Sequence, residues 1–354
     1  MPEQVQVAVT GLGFAYSMLA DYIASPHTKL MLLHDVDEAR AKKISAEFGG
    51  VPYTLDFNDV LKSSAHFVEI GTPNQLHREQ ADAVFAAGKH ALIEKPLAPI
   101  VDDCRAICAS AQKYKKLLGL NMTTLNVPLY TSLKALVASG KLGKIAAVRI
   151  RNAHRGPYKS DASKTWRAKK ANIGGGSFMQ LTIHYMNLAL WMLGDEVERV
   201  CAFSKNLYCQ HSIEGDDATS ATAELKSGAL MTMESGYSSV GNYIAVYGTD
   251  GHFAFTDGQL ALEANAPFQD NILTYPYPTP GKQAGEMVHY PANAFEGRYP
   301  TGSDSLQHIK FAKAVQAQTA YEMNGEIGLR DVAIIQALYH AAEIGRTVAV
   351  KEYL

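Results

Sequence analysis

From Val5 to Leu120, short apolar runs alternate with longer amphipathic stretches, and this rhythm leaves the chain few ways to fold. Val5 to Thr10, Leu30 to His34, His66 to Ile70, Ala91 to Ile93 and Leu117 to Leu120 read as strands. Phe14 to Ala24, Asp37 to Phe48, Leu76 to Ala87 and Val101 to Lys115 read as the helices between them, the third stopped by Gly88 in a left-handed turn. Strands and helices in alternation build a parallel sheet covered on both faces, so a doubly wound α/β domain is expected over residues 1–122.

After Met122 the rhythm changes. A helix from Pro128 to Ser139 precedes a strand from Ile145 to Arg151, and after a long apolar segment from Ile173 to Gly194 come six extended segments. These are Val197 to Ser204, Ala218 to Leu225, Ala229 to Ser235, Tyr243 to Tyr247, His252 to Phe255 and Gln259 to Glu263. Consecutive strands with short turns imply a mostly antiparallel sheet, hence an α+β domain over 123–354. Asn265 to Gly302 holds six of the 14 prolines and reads as an irregular arm; helices near Ser303 to Gln318 and Leu329 to Gly345 follow.

A chain of 354 residues with 47% hydrophobic and 19% charged positions suits two packed cores. A formal charge of -2 gives no bulk electrostatic reason to bind nucleic acid or an anionic membrane. Cys104, Cys108, Cys201 and Cys209 show no metal or redox spacing, so no metal is expected. Ile173 to Gly194 lacks Asp, Glu, Lys and Arg, yet three glycines with Gln180, His184 and Asn187 would place too many polar groups in lipid. With no leader before Val5, a cytoplasmic protein is expected.

The first chemical signal is Gly11-Leu12-Gly13-Phe14-Ala15-Tyr16, between the first strand and first helix. One glycine there makes the tight turn and the next lets a pyrophosphate approach the helix N-terminus; a plain strand-to-helix turn also favours glycine, and Tyr16 stands at the usual third-glycine position. Gly11, Gly13, Phe14 and Ala15 are the candidate contacts. Asp35, at the end of the second strand, suits an adenosine ribose; since neither Val36 nor Asp37 supplies a cation for a 2′-phosphate, NAD is expected over NADP.

Gly71-Thr72-Pro73-Asn74, His77 and the run Ala87 to Leu97 with Glu94-Lys95-Pro96, followed by Gly174-Gly175-Gly176 and His184, resemble the glucose-fructose oxidoreductase / inositol dehydrogenase (Gfo/Idh/MocA) family. The resemblance runs from Val5 to about Gly194, and more loosely to the last helix. It implies a Rossmann domain and a second domain with a large open sheet, used face to face in homodimers or homotetramers. It further implies hydride transfer between a nicotinamide and a carbinol of a sugar, polyol or related carbohydrate-like compound. Lys95 would stand beside the nicotinamide with a cis bond before Pro96, and Thr72, Asn74, His77 and Glu94 would line the cofactor cleft.

Lys95 falls at the carboxyl end of a parallel strand, where open α/β sheets bind ligands, and an ammonium there stabilises alkoxide character on a substrate oxygen. At about 100° per residue, Gln180, His184, Asn187 and Trp191 share one stripe of an otherwise apolar helix. In the family this stripe commonly carries Asp, His and Asp. Here amides replace both carboxylates, so Gln180 and Asn187 are expected to orient substrate hydroxyls. Proton transfer then falls on His184, whose ordinary pKa is about 6.5.

Eight Lys and Arg lie between Arg149 and Lys170, with Asp161 the one acid. The stretch precedes the glycines where similar proteins of the family reach over cofactor and substrate, so the resemblance implies Trp166 and Arg167 on the cofactor and Arg155 and Tyr158 on the substrate, where an anionic group would suit the charge. The leading expectation is an NAD-dependent dehydrogenase or reductase. A redox-neutral NAD-dependent glycosidase and a non-catalytic nucleotide- or sugar-sensing regulator are the alternatives.

Overall fold

A computed structural model of the chain describes residues 4–156, 165–237, 241–256, 259–261, 272–273, 288–289 and 297–354. The chain divides into two compact units. The first comprises residues up to Asn126, Ala171–Ile173 and Tyr299–Val332; the second comprises Val127–Lys170, Gly174–Arg298 and Ala333–Leu354.

The first unit holds a parallel sheet of β1 (Val5–Thr10), β2 (Thr28–His34), β3 (Tyr53–Thr54), β4 (Phe67–Ile70), β5 (His90–Glu94) and β6 (Leu118–Asn121). Its order, β3-β2-β1-β4-β5-β6, is that of a doubly wound dinucleotide fold, with the order reversing beside β1. The connecting helices are α1 (Tyr16–Ala24), α2 (Glu38–Glu47), α3 (Phe57–Lys62), α4 (His77–Ala86) and α5 (Val101–Tyr114). Every residue of β4 and β5 is buried, which is why these strands read as mostly apolar, with Glu69 in β4 and His90 and Glu94 at the ends of β5 as the polar exceptions. Neither β3 nor α3 stands out in the sequence, because two strand residues and six helical ones are too few to show a period. Gly88 has φ +79°, as expected of a helix stop.

One face of this sheet is completed from the far end of the chain. α9 (Gln307–Ala317) lies so close to β6 that a Cβ on Gly119 would meet the Phe311 ring at 2.6 Å, and Phe311 sits edge-on to Phe67 at 5.2 Å. Buried polar groups join the packing. Asp21 accepts from the Gly302 N–H at 3.1 Å and lies 3.0 Å from His308 Nε2. Glu69, in the central strand β4, accepts from the Tyr22 hydroxyl at 2.5 Å and the Asn121 amide at 3.1 Å. Burial pushes the Glu69 carboxyl up to about 7, against those two hydrogen bonds.

The second unit contains α6 (Pro128–Ala138), β7 (Ile145–Ala153), α8 (Ile183–Leu193), β8 (Val197–Lys205), β9 (Ala218–Leu225), β10 (Leu230–Gly236), β11 (Tyr243–Gly248), β12 (His252–Thr256), β13 (Gln259–Ala261) and, at the chain end, β16 (Val348–Ala349). A short helix α7 (Lys170–Ile173) and a small antiparallel pair, β14 (Ile272–Leu273) with β15 (Val288–His289), complete the described elements of this part of the chain. The helix α10 (Gly325–Ile344) contributes residues to both units. Among the described residues the main sheet runs β13-β12-β11-β7-β10-β9-β8-β16, antiparallel throughout except for β7 beside β10. Its strands alternate: Val148, Ile150, Ala221, Ala223, Met231 and Met233 are buried, while Arg149, Ser220, Thr222 and Phe203 face outward. Most of the proline-rich arm expected over 265–302 lies outside the described residues. No helix among the described residues is long and apolar enough to cross a membrane.

Candidate active site

In the first unit the chain leaves β1 and turns at once. Gly11 donates to His34 O at 2.9 Å and has φ +82°, and a Cβ there would fall 2.5 Å from Thr72 N. Only glycine fits that backbone approach. Gly13 differs: it is exposed, and a Cβ added to it meets no atom within 4 Å. Ala15 is buried, and a Cβ on Gly71 would fall 2.8 Å from the Ala15 Cβ, so the close helix-to-strand approach belongs to this pair. Tyr16 therefore need not be glycine. Its hydroxyl donates to Glu47 and its ring lies 5.6 Å from Phe48.

Asp35 is almost wholly buried, and its carboxylate accepts from Leu12 N at 2.9 Å and Asp37 N at 3.0 Å. A cation is present after all: Arg40, in the first turn of α2, donates to Asp35 Oδ1 at 3.0 Å and Oδ2 at 3.1 Å. The expectation that no positive charge stands beside this acid is thereby corrected. Inspection of the next two residues missed it because one helical turn brings the fifth residue back to the strand end.

Across the sheet, Lys95 follows the last residue of β5 and is half-buried, and the Lys95–Pro96 peptide is cis, as the resemblance implied. Glu94 is buried beside it. His77 is fully buried; its Nδ1 lies 3.1 Å from Pro96 O and 3.3 Å from Leu97 O, and its Nε2 lies 3.0 Å from Thr72 O. The ring was expected to line the cofactor cleft. It instead pins the loop after Lys95 to the loop after β4, and burial lowers its pKa. Thr72 Oγ1 donates to Gln80 at 2.6 Å. The Asn74 amide nitrogen is buried with no hydrogen-bond partner among the described residues, a costly state for a protein group unless a ligand supplies an acceptor. Free space at Gly13, the carboxylate of Asp35 and the Asn74 amide together fit a dinucleotide.

In the second unit the triple glycine is a packing device. Gly174 has φ +77° and ends α7. A Cβ on Gly175 would meet the Tyr339 hydroxyl at 2.3 Å, and one on Gly176 would meet Asp216 O and N at 2.1 and 2.2 Å. Asp216 then gathers the following turn: its carboxylate accepts from Ser177 Oγ at 2.8 Å, Phe178 N at 3.1 Å, Thr219 Oγ1 at 2.9 Å and the Tyr339 hydroxyl at 2.6 Å. The only sequence sign of this clasp is Glu214-Gly215-Asp216-Asp217 between two strands, which reads as an ordinary turn.

The buried helix expected after the triple glycine opens on an irregular turn. Phe178–Thr182 is a π-helical turn, and regular helix begins at Ile183. The wider turn changes the angular offset between Gln180 and His184 from that counted at one constant angle, while residues four apart still share one side of the helix. Gln180 and His184 are half-buried, whereas Asn187 is fully buried, which places its amide inside the packing. Trp191 carries Lys134 Nζ 3.9 Å above its ring, tying α8 to α6.

The basic stretch is mostly spoken for. Arg149 lies over the Tyr243 ring at 5.9 Å, Arg151 donates to Gly241 O at 2.8 Å and Glu234 at 3.3 Å, and Lys169 pairs with Glu214 at 2.8 Å. These contacts weaken the inference of an anionic substrate from charge density. Arg155 is exposed, and Arg167 stacks on Trp166 at 4.4 Å; Tyr158 lies outside the described residues.

A glycine turn opening a doubly wound sheet, an acid at the end of its second strand and a lysine at the end of its fifth define a dinucleotide-dependent oxidoreductase. Residues 5–122 match the oxidoreductase family model with an NAD-binding Rossmann fold, and residues 130–254 match the GFO/IDH/MocA C-terminal domain. The chain belongs to the Gfo/Idh/MocA family of NAD-dependent oxidoreductases. Over 137 residues it is 32% identical to the 1,5-anhydro-D-fructose reductase of Ensifer adhaerens, an alignment spanning 39% of this chain and 40% of that protein. It is 23% identical to the myo-inositol 2-dehydrogenase of Thermotoga maritima over 99% of this chain and 100% of that one. Among solved structures, an aldose-aldose oxidoreductase from Caulobacter crescentus superposes with a TM-score of 0.80 at 26% identity, covering 98% of this chain and all of the other.

Proposed function

We propose that this oxidoreductase transfers hydride reversibly between NAD and a secondary alcohol or ketone of a sugar, polyol or sugar derivative. The observation that carries the reading is Lys95: half-buried, at the carboxyl edge of the parallel sheet, on a loop whose carbonyls His77 holds. The carbohydrate class is supported by the named activities of the relatives, among them a myo-inositol 2-dehydrogenase and a 1,5-anhydro-D-fructose reductase.

NAD, when bound, supplies the hydride acceptor. Gly11, Gly13, Phe14 and Ala15 receive its pyrophosphate, Asp35 its adenosine ribose, and Thr72, Asn74 and Glu94 its nicotinamide half. The Lys95 ammonium would donate a hydrogen bond to the substrate oxygen and stabilise the negative charge that grows there as the hydroxyl proton leaves, the charge from which the carbonyl forms when hydride departs the carbon. In the second unit, His184 is the imidazole suited to exchange a proton, and Gln180 is an amide that can hydrogen-bond a hydroxyl without exchanging protons. We infer further, from the family's habit of pairing subunits face to face, that the protein is cytoplasmic and forms a homodimer or homotetramer through the outer sheet face.

The test is net NADH formation on a panel of polyols, aldoses and sugar acids at alkaline pH. Lys95→Ala and His184→Ala are each expected to lower kcat at least about 100-fold while NADH titration by fluorescence stays within about threefold. Binding without turnover on any carbohydrate overturns the catalytic reading in favour of a sensor; glycoside cleavage without net NADH favours redox-neutral chemistry.

A further inference from the structure

A carboxylate offers about four lone-pair directions, and those of Asp35 are taken. Leu12 N and Arg40 share Oδ2 at 2.9 and 3.1 Å, while Asp37 N and Arg40 share Oδ1, each at 3.0 Å. The two backbone donors are fixed by the turn after β1 and the start of α2. Arg40 is not: its side chain is 45% exposed, and its other terminal nitrogen lies 3.2 Å from Asp37 Oδ2. A ribose diol seeking Asp35 therefore has one donor to displace, and it is Arg40.

From this geometry we infer that Arg40 sets the choice between NAD and NADP, competing with the adenosine ribose for Asp35 and pairing with a 2′-phosphate when one is present. An unpaired Asp35 would repel that phosphate strongly. With Arg40 shared between Asp35 and Asp37, the cluster carries one negative charge instead of two, and the planar fork of Arg40 suits a phosphate as well as a carboxylate. Asp37 can hold the guanidinium beside the site when a bare ribose displaces it from Asp35, because Asp37 also caps α2 through Arg40 N at 3.0 Å. The chain thus accepts both dinucleotides. The inference rests on the NAD-binding fold and not on the proposed carbohydrate chemistry.

Fluorescence titration of the full chain with NADH and NADPH tests it. The wild type is expected to bind NADPH within about tenfold of NADH, with the NADPH affinity falling more steeply as salt is raised. Arg40→Met keeps the alkyl stem and all main-chain bonds. It is expected to weaken NADPH by about 10- to 100-fold, to leave NADH unchanged or somewhat tighter, and to abolish the difference in salt dependence. Arg40→Lys, which keeps the charge and loses the fork, should fall between. Wild-type NADPH binding more than 100-fold weaker than NADH, or an equal loss of both dinucleotides in Arg40→Met, would overturn the role of Arg40. Failure of the wild type to bind either dinucleotide would overturn the site itself, whereas absence of carbohydrate turnover with the affinities as expected would leave this inference standing.

Discussion

The turn at Gly11 to Gly13 and the turn at Gly174 to Gly176 look alike in the sequence and differ in what surrounds their glycines. In the first, Gly11 is pressed against Thr72 N, but Gly13 faces space with no atom within 4 Å of an added Cβ. In the second, the space that Gly175 and Gly176 open is occupied by Tyr339 and by the backbone of Asp216. The first turn pairs one glycine in close backbone contact with one that faces open space; in the second, Gly175 and Gly176 are both closed in by neighbouring groups. Glycine thus marks close approach, and the identity of the approaching group lies elsewhere in the fold.

The largest effect should come from filling the second turn. Gly176→Ala places a Cβ about 2.1 Å from Asp216 O, with backbone on the opposing side, and should cost about 3 kcal/mol or more in chemical denaturation. An unchanged midpoint would mean that the turn is slack. The contrast inside the first turn is sharper in kind. Gly11→Ala, with φ +82° and backbone at 2.5 Å, should lose about 2 kcal/mol of stability and NADH binding with it. Gly13→Ala should keep stability within about 0.5 kcal/mol and weaken NADH about tenfold, because its methyl stands where a pyrophosphate approaches. Equal stability losses in both variants would erase the distinction between the turns.

A pH-dependent effect concerns the strand that carries Gly71 and Thr72 to the first turn. Glu69, buried in β4, titrates at about 7 in the fold against an ordinary 4.5. The folded state therefore holds more protons between these values, so stability falls as pH rises across that window and is fully favoured below it. The slope should approach about 1 kcal/mol per pH unit. Glu69→Gln, measured by denaturation at pH 5, 6 and 7.5, should flatten it; an unaltered slope would assign the titration to another group.

The alternation of segments made the strands β1, β2, β4, β5 and β6 legible, because parallel strands buried on both faces are mostly apolar and their helices amphipathic. The second sheet was legible as mostly antiparallel through its alternating strands, while the parallel pairing of β7 with β10 was not, since both belong to the same alternating pattern. Lys95 and the glycine turn stood out because ligand sites of doubly wound sheets fall at strand ends. Hidden were Arg40, one helical turn past the acid it neutralises, the π-helical turn ahead of His184, and the spent ring of His77.

Local patterns of side-chain size and polarity, acting over a turn or a strand, were enough to specify the doubly wound unit and the positions of its glycines. Which groups fill or leave open the space those glycines create was decided by residues far off in the chain: Thr72 against Gly11, Asp216 and Tyr339 against the triple glycine, Phe311 against Gly119. Such choices belong to the tertiary structure because steric exclusion and hydrogen-bond saturation depend on distance in space, which a linear order of residues does not contain.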